Sequence, residues 1–576
     1  MPSSIRIDRN VPMEMRDGII LRGDVYRPDD RKKHPAILIR TPYNKLVSGR
    51  TDFLNLEDTA FAGFVVITQD VRGRFASDGQ YGEGDIFTVE GVDGYDSVEW
   101  VASQSWCNGN VGMGGVSYMA VLEWIAAMQK PPHLKAIAPW MAGTTALVEG
   151  TLLSGVMLLH LWSSWTAMMA VDIADRLEKQ GKDVTAMRHM IYRALFNPEE
   201  VNNFLPLKDA PHFHFERIKE IWDARVLHGI PGPEAAGLAN WPYASIMVPC
   251  LHVSGWYDIY TYSIFHNFLN MREKGGSPLA REGQHVLMGP WPHGGELPSF
   301  VGDVHFGPSA GVPGALVTEY HLAFFNKYLC GMDINLPAIR YFVMGRNRWQ
   351  AASTWPPEGT QWQRFFLHSK GSASTAAGNG LLNRVEPASE PPDIFVYNPL
   401  SPVPTMGGRV VVGAGMVAGP IDQSRVETRS DVLCYTTPEL DKDTEITGPL
   451  ELHLFAATSA RDTDFTAKLV DVYPDGRAYN VADGIIRARY RKSIFQPELV
   501  TPGEVNEYTI NMGNISQLFR KGHRIRIEIS SSNFPAFDRN MNTGNPMGVD
   551  AEGVPVMQTV YHQPGYASYI DLPVIP

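Results

Sequence analysis

The chain has 576 residues, of which 44% are hydrophobic and 19% charged, with a formal net charge of −12. That composition excludes a largely disordered chain and allows a large buried core. With neither net positive charge nor a basic stripe, it also argues against a nucleic-acid binder.

The first six residues lack the apolar run of a signal peptide. Residues 35–39 (PAILI) and 64–68 (FVVIT) are short β-branched runs bounded by turn residues, the pattern of strands covered on both faces. Helical spacing is expected over 51–61 and 92–104, a third strand over 111–116, its helix over 118–128, and a fourth strand over 134–138. This alternation predicts a parallel sheet with helices on both faces.

From about 143 to 239 the chain turns helical, the signature of an inserted subdomain. Its most apolar stretch, 155–171, is short for a membrane span and carries His160 and hydroxyl residues, so it reads as a buried or pocket-lining helix. The α/β pattern resumes with a strand over 248–253, a helix over 261–274, a strand over 285–288 and a helix over 316–329. Many short strands separated by Asp, Gly, Asn and Pro follow, as in a β-sandwich or jelly roll. The expected organisation is an α/β-hydrolase domain over 1–143 and 241–337, a helical cap over 144–240, and a C-terminal jelly roll over 338–576. Cys107, Cys250, Cys330 and Cys434 stand far apart with no CxxC pair, so neither a disulfide framework nor structural zinc is expected. The default expectation is a soluble cytoplasmic protein.

The strongest local signal is GMGGVSYMA, in which Ser117 stands between a strand and a helix. A serine at that junction projects its oxygen above the sheet. Gly115 fits the first glycine of GxSxG, but Met119 replaces the last. A serine hydroxyl needs a base, and α/β-hydrolases carry serine, acid and histidine in that chain order. Asp258 (SGWYD) and His293 (GPWPH) each follow a predicted strand, and the helical insertion accounts for the long gap after Ser117. Taken singly, Asp258 reads as a helix cap and His293 as a loop histidine with rivals in His285 and His305. As an ordered set at strand ends, they read as a triad in which turnover falls in acid as His293 takes up a proton. The oxyanion would meet the Tyr118 N–H, the residue after the nucleophile. The loop IRTPYN after an early strand offers the Tyr43 hydroxyl, which by itself reads more readily as a packed aromatic.

Beyond these residues, long stretches of the chain carry a family resemblance: MRDGIILRGDVYRP from Met15, QDVRGRFASDG from Gln69, WCNGNVGMGGVSY from Trp106, GWYD from Gly255, GPWPH from Gly289, FVMGRNRW from Phe342, DTDFTAKLVDVYPDGRA from Asp462 and SSSNFPAFDRNMNTG from Ser530. By these motifs the chain resembles the bacterial cocaine esterases and their relatives, the X-Pro dipeptidyl-peptidases and α-amino acid ester hydrolases. The resemblance implies an α/β-hydrolase domain with helical cap and jelly roll. It also implies a Ser117–Asp258–His293 triad, and an oxyanion hole of Tyr43 hydroxyl and Tyr118 N–H, without metal or cofactor. Where α-amino acid ester hydrolases carry carboxylates behind the triad aspartate, this chain has Ile259, Tyr260 and Thr261, so the partner for a substrate ammonium is missing. Tyr260 and Trp165 match two aromatic positions around an acyl group. A third falls near 149–151, where no aromatic stands, and Trp162 either supplies that face or packs in the cap.

The expected activity is therefore hydrolysis of small acyl esters, aromatic ones such as benzoyl included. An amide hydrolase or X-Pro-type peptidase is the alternative within the family, and a noncatalytic carbohydrate- or protein-binding module the alternative outside it. The Asp70-Val-Arg72-Gly-Arg74 run reads as a structural arginine network rather than an anion site. His212 and His214 would share one side of an extended segment but have no nearby third metal ligand. The expected partner is a small-molecule ester, with no nucleic acid or membrane, and the jelly roll could wall the active site or form a homodimer interface.

Overall fold

The computed structural model describes residues 2, 4–48, 54–82, 88–143, 152–227, 240–294, 297–311, 314–411, 413 and 415–576. Strands β1 (Ile5–Glu14), β2 (Ile20–Pro28), β3 (His34–Thr41), β4 (Val65–Asp70), β5 (Cys107–Val116), β6 (Leu134–Trp140), β7 (Cys250–Tyr257), β8 (Gln284–Pro292), β9 (Ile339–Val343) and β10 (Arg348–Ala352) form one sheet. They lie in chain order except that β4 sits between β2 and β3. From β4 to β9 every neighbour pair is parallel. Antiparallel β1, β2 and β10 close the two ends.

Every residue of β4, β7 and β8 is buried. Helices on both faces remove the alternation that a half-exposed strand would show. Those helices are α1 (Leu56–Phe61), α2 (Val89–Ser103), α3 (Tyr118–Met128), α7 (Thr261–Lys274) and α8 (Val317–Cys330), while α4 (Leu159–Lys179), α5 (Thr185–Phe196) and α6 (Ile218–Val226) lie between β6 and β7. Of the three middle helices, α4 lies as a cap against the loops at the sheet's carboxyl ends, where Trp165 reaches Tyr43 and Met169 reaches Arg74, with Trp162, Trp165, Ala167, Met169 and Ala170 buried. Among the described residues no helix is long and apolar enough to cross a membrane.

The C-terminal region is a second, eleven-stranded β system. At its centre the long strand Thr444–Thr458 pairs along its length with Asn506–Phe519, and Asp464–Val472 lies between Ala478–Arg487 and Arg524–Ser530. One expected boundary moves. Residues 339–352, placed in the jelly roll by their strand-like composition, instead extend the hydrolase sheet through the parallel pairs Val286↔Ile339 and Met288↔Tyr341. Strand propensity marks β9 correctly, but its sheet is decided by the pairing partner, which lies fifty residues upstream. The helix expected over 51–61 begins at Leu56 behind an Asn55 cap, its residues 51–53 lying outside the described residues.

Candidate active site

Strand β5 ends at Val116 and α3 begins at Tyr118, which leaves Ser117 alone on the turn with φ 60° and ψ −120°. A non-glycine residue held there costs about 1–3 kcal/mol, so its surroundings must fix it. The Ser117 N–H donates to the Trp140 carbonyl of β6 at 2.8 Å, and its carbonyl accepts from the Val121 N–H at 3.1 Å. Met119, the departure from GxSxG, is accommodated because Gly115 has no side chain: a Cβ there would lie 2.5 Å from the Met119 Cβ.

Asp258 directly follows β7, and His293 directly follows β8. The two strands pair in parallel through Gly289↔Gly255 and Pro292↔Tyr257. Gly255 permits this approach, since a Cβ at that position would lie 2.0 Å from the Trp291 carbonyl oxygen. The paired strand ends bring acid and base together. His293 Nδ1 lies 2.7 Å from Asp258 Oδ1, and His293 Nε2 lies 3.0 Å from Ser117 Oγ. Asp258 is fully buried. Its other oxygen accepts from the Ser254 hydroxyl, and Oδ1 also accepts from the Tyr260 N–H at 3.3 Å. With the carboxylate on the Nδ1 side, Nδ1 carries the proton and Nε2 accepts from the serine hydroxyl. The rival histidines stand elsewhere. His285 is engaged by the Pro337 carbonyl and the Tyr328 hydroxyl, and His305 lies in a short exposed hairpin.

Tyr43 follows β3 and Pro42. Its hydroxyl accepts from Trp165 Nε1 at 3.1 Å. Burial pushes this phenol up to about 12, against hydrogen bonding with Trp165 and Ser117 that pulls it down. The group is thus a protonated O–H beside the Ser117 hydroxyl. Tyr118 occupies the first turn of α3, where backbone N–H groups have no intrahelical acceptor. Its ring stacks on Trp165 (centroids 6.3 Å apart) and meets Tyr43 edge-on at 6.4 Å, and its hydroxyl lies 3.3 Å from that of Tyr81. Tyr260 meets the His293 imidazole edge-on at 5.5 Å. Trp162 packs edge-on against Trp165 at 5.3 Å, and the Arg225 guanidinium sits 3.8 Å over its ring. The position near 149–151 lies outside the described residues.

The arginines of the Asp70–Arg74 run form ion pairs and backbone ties within the fold. Arg72 pairs with Asp93 and Asp17, while buried Arg74 donates to the Pro42 carbonyl at 3.1 Å and the Met169 carbonyl at 3.0 Å. Arg74 therefore ties the Tyr43 loop to cap helix α4. His212 and His214 do not share an extended side. Pro211–Phe213 is a 3₁₀ turn, His212 faces Glu200 at 3.4 Å, and His214 faces the Lys208 carbonyl at 3.1 Å. Among the described residues no group of three His, Cys, Asp or Glu side chains is placed to hold a metal.

Sequence reasoning did not single out Ser254, Tyr81 or the C-terminal segment whose Val411 makes a parallel bridge to His293. Ser254 reads as a turn residue before glycine, and nothing local to 409–411 points to a strand end more than a hundred residues earlier.

The model of the X-Pro dipeptidyl-peptidase (S15 family) matches residues 17–295, and that of the X-Pro dipeptidyl-peptidase C-terminal non-catalytic domain matches residues 333–571. Cocaine esterase of Rhodococcus sp. (strain MB1 Bresler) is 35% identical over 579 residues, covering 98% of this chain and 98% of that protein. Among solved structures, an aminopeptidase from a marine sediment archaeon (Thaumarchaeota archaeon) aligns with a TM-score of 0.78 at 23% identity over 100% of this chain and 96% of its own. An α-amino acid ester hydrolase aligns at 0.75 and 23%, over 99% and 97% respectively. These two show a common fold. The chain belongs to the cocaine esterase and X-Pro dipeptidyl-peptidase (S15) family of α/β-hydrolases, and is a serine hydrolase acting on esters or peptides.

Proposed function

We propose that this chain is a serine carboxylesterase that cleaves small acyl esters through an acyl-enzyme, with flat aromatic acyl groups such as benzoyl within its range. The observation that carries the reading is the unbroken relay from Ser117 Oγ to His293 Nε2 (3.0 Å) and from His293 Nδ1 to buried Asp258 (2.7 Å). His293 takes the serine proton as Oγ attacks the acyl carbon, returns it to the departing alkoxide, and then activates water for deacylation. Asp258 orients the imidazole and stabilises its charged form. The Tyr43 hydroxyl and Tyr118 N–H receive the developing oxyanion. Tyr260, Trp165 and Tyr118 offer ring faces and edges for a planar acyl group. Ile259, Tyr260 and Thr261 behind Asp258 supply no carboxylate for a substrate ammonium, which favours esters over free-amine peptides.

Turnover of matched benzoyl esters and benzoyl amides, with mass spectrometry of the Ser117 peptide, tests the proposal. Ester turnover should dominate, the acyl mass should appear on Ser117, and Ser117→Ala should lose several orders of magnitude in rate. A folded Ser117→Ala protein with full esterase activity would remove the mechanism. Faster cleavage of the amides would shift the assignment to an acylase or peptidase.

A further inference from the structure

We infer that Arg409, from the C-terminal β domain, is a positioning residue for the Asp258–His293 pair, pinning the acid's strand two residues before the carboxylate and bringing a cation to that strand end. The inference rests on the esterase reading above.

Arg409 is only 8% exposed. Its guanidinium donates to four backbone carbonyls: Nε to Trp256 at 3.3 Å, Nη1 to Asp483 at 3.2 Å and to Met512, and Nη2 to Asn514 at 3.2 Å. Trp256 belongs to β7 and stands two residues before Asp258, whereas the other three carbonyls belong to the strands Ala478–Arg487 and Asn506–Phe519. A planar fork of fixed donors suits this role, because it fixes several acceptors relative to one another. Carbonyl oxygens satisfy the N–H groups without neutralising the charge. Burial lowers the pKa of this guanidinium, and the charges of Asp483, Tyr257 and Asp258 oppose that loss of its proton. Two residues along the same segment, the Val411 backbone bridges to His293. One stretch of the C-terminal domain thus holds both the strand that delivers the acid and the backbone that carries the base.

A structural tie alone and a tie that also supplies a field differ in their pH signature. Removing a positive charge near the Asp258–His293 pair should move the acid limb of the rate profile to higher pH. Asp483 and Tyr257 face Arg409, and Ser117, Asp258 and Tyr260 face His293. His160 of α4, whose ring faces the Val411 and Gly413 carbonyls, is another titratable group against this segment.

The test compares wild type, Arg409→Lys, Arg409→Gln and Arg409→Met by the pH dependence of inactivation by a serine-directed fluorophosphonate. Dividing each rate by the folded fraction at that pH, read by circular dichroism, removes the contribution of partial unfolding. Arg409→Gln and Arg409→Met should move the acid limb up by about 0.5–1 pH unit, the size of one partly screened charge, slowing the reaction below the limb by about three- to tenfold. Arg409→Lys, which keeps the charge, should leave the limb in place. A slower reaction with an unmoved limb in both neutral variants, or an equal displacement in Arg409→Lys, overturns the inference. So does a displacement that disappears in a His160→Gln background. Failure of the wild-type protein to react with the reagent would instead refute the esterase reading itself.

Discussion

Replacing Tyr43 by Phe removes one oxygen and leaves its ring packed edge-on against Tyr118 at 6.4 Å. Two consequences follow, and they separate experimentally. The first is loss of an O–H donor beside Ser117, where one oxyanion donor is worth about 2.7–4 kcal/mol, or about 10²–10³ in kcat. Because that bond strengthens as charge develops, kcat should fall while KM changes little. The second is that the Trp165 indole N–H, now 3.1 Å from the Tyr43 oxygen, loses this acceptor in a buried cluster. That penalty, about 1–3 kcal/mol, is common to ground and transition states and so should appear as a lower melting temperature rather than a slower reaction. Steady-state hydrolysis of a nitrophenyl ester, resolved into kcat and KM, reads the first effect, and calorimetry reads the second. The same hydroxyl sets an alkaline expectation. Burial pushes Tyr43 up to about 12, so the wild-type protein should keep its rate to about pH 10, where an ordinary phenol would be half ionised. A Tyr43→Phe variant with kcat within about threefold of wild type falls short of one oxyanion donor and would remove Tyr43 from the oxyanion hole.

Asp258→Asn should fold and bind but lose about 10⁴ in kcat, because the amide no longer fixes the tautomer that leaves Nε2 free to accept the serine proton. Retention of more than a tenth of the activity would contradict the 2.7 Å contact as the orienting bond. Glu123, on α3 behind the nucleophile, is fully buried and accepts the Ala138 N–H at 2.8 Å. Burial raises its carboxyl well above the ordinary range, so the folded protein keeps a proton that the unfolded chain gives up. The stability this provides is complete below the ordinary carboxylate range near pH 4 and drains away as pH rises above it. Glu123→Gln, a permanently neutral replacement of the same shape, should therefore melt higher than wild type at about pH 8 and converge with it near about pH 4. A lower melting temperature at the alkaline end would show that the carboxylate is ionised and paired.

Helices α3 and α7 are legible to the residue, because each begins just past a strand end and carries an unbroken apolar face. The cluster of Ser117, Asp258 and His293 is legible as an order of residue types at strand ends, and not in any one motif, since Met119 spoils the serine signature. The sequence signal for β7 stops at Val253, short of the strand's end at Tyr257. Ser254 and Gly255 look like turn residues, yet they continue the strand because the bare Gly255 lets the Trp291 carbonyl come close. That extension makes Ser254 a partner of Asp258, a role no spacing rule announces. Trp162 was balanced between pocket and core, and the guanidinium over its ring is a contact made by α6 from more than sixty residues away.

Ser117, Asp258 and His293, the proposed reacting groups, stand at strand ends, but the sheet alone does not hold them together. A carboxylate with no solvent exposure is tolerable only if its lone pairs are filled, and three donors fill those of Asp258: His293, Ser254 and the Tyr260 N–H. Each stands on β7, on β8 or just past their ends, so a small shear between the two strands would empty the set. The ties that resist such a shear come from outside the parallel sheet. On the Tyr43 side, α4 accepts from Arg74 and donates through Trp165. On the Asp258 side, the C-terminal strands hold β7 through Arg409 and meet His293 through Val411. Cap and β domain thus bear on opposite flanks of the nucleophile. Substitutions in a domain without reacting groups should accordingly alter rate and pH profile, while substitutions on the outer faces of the same domains should alter neither.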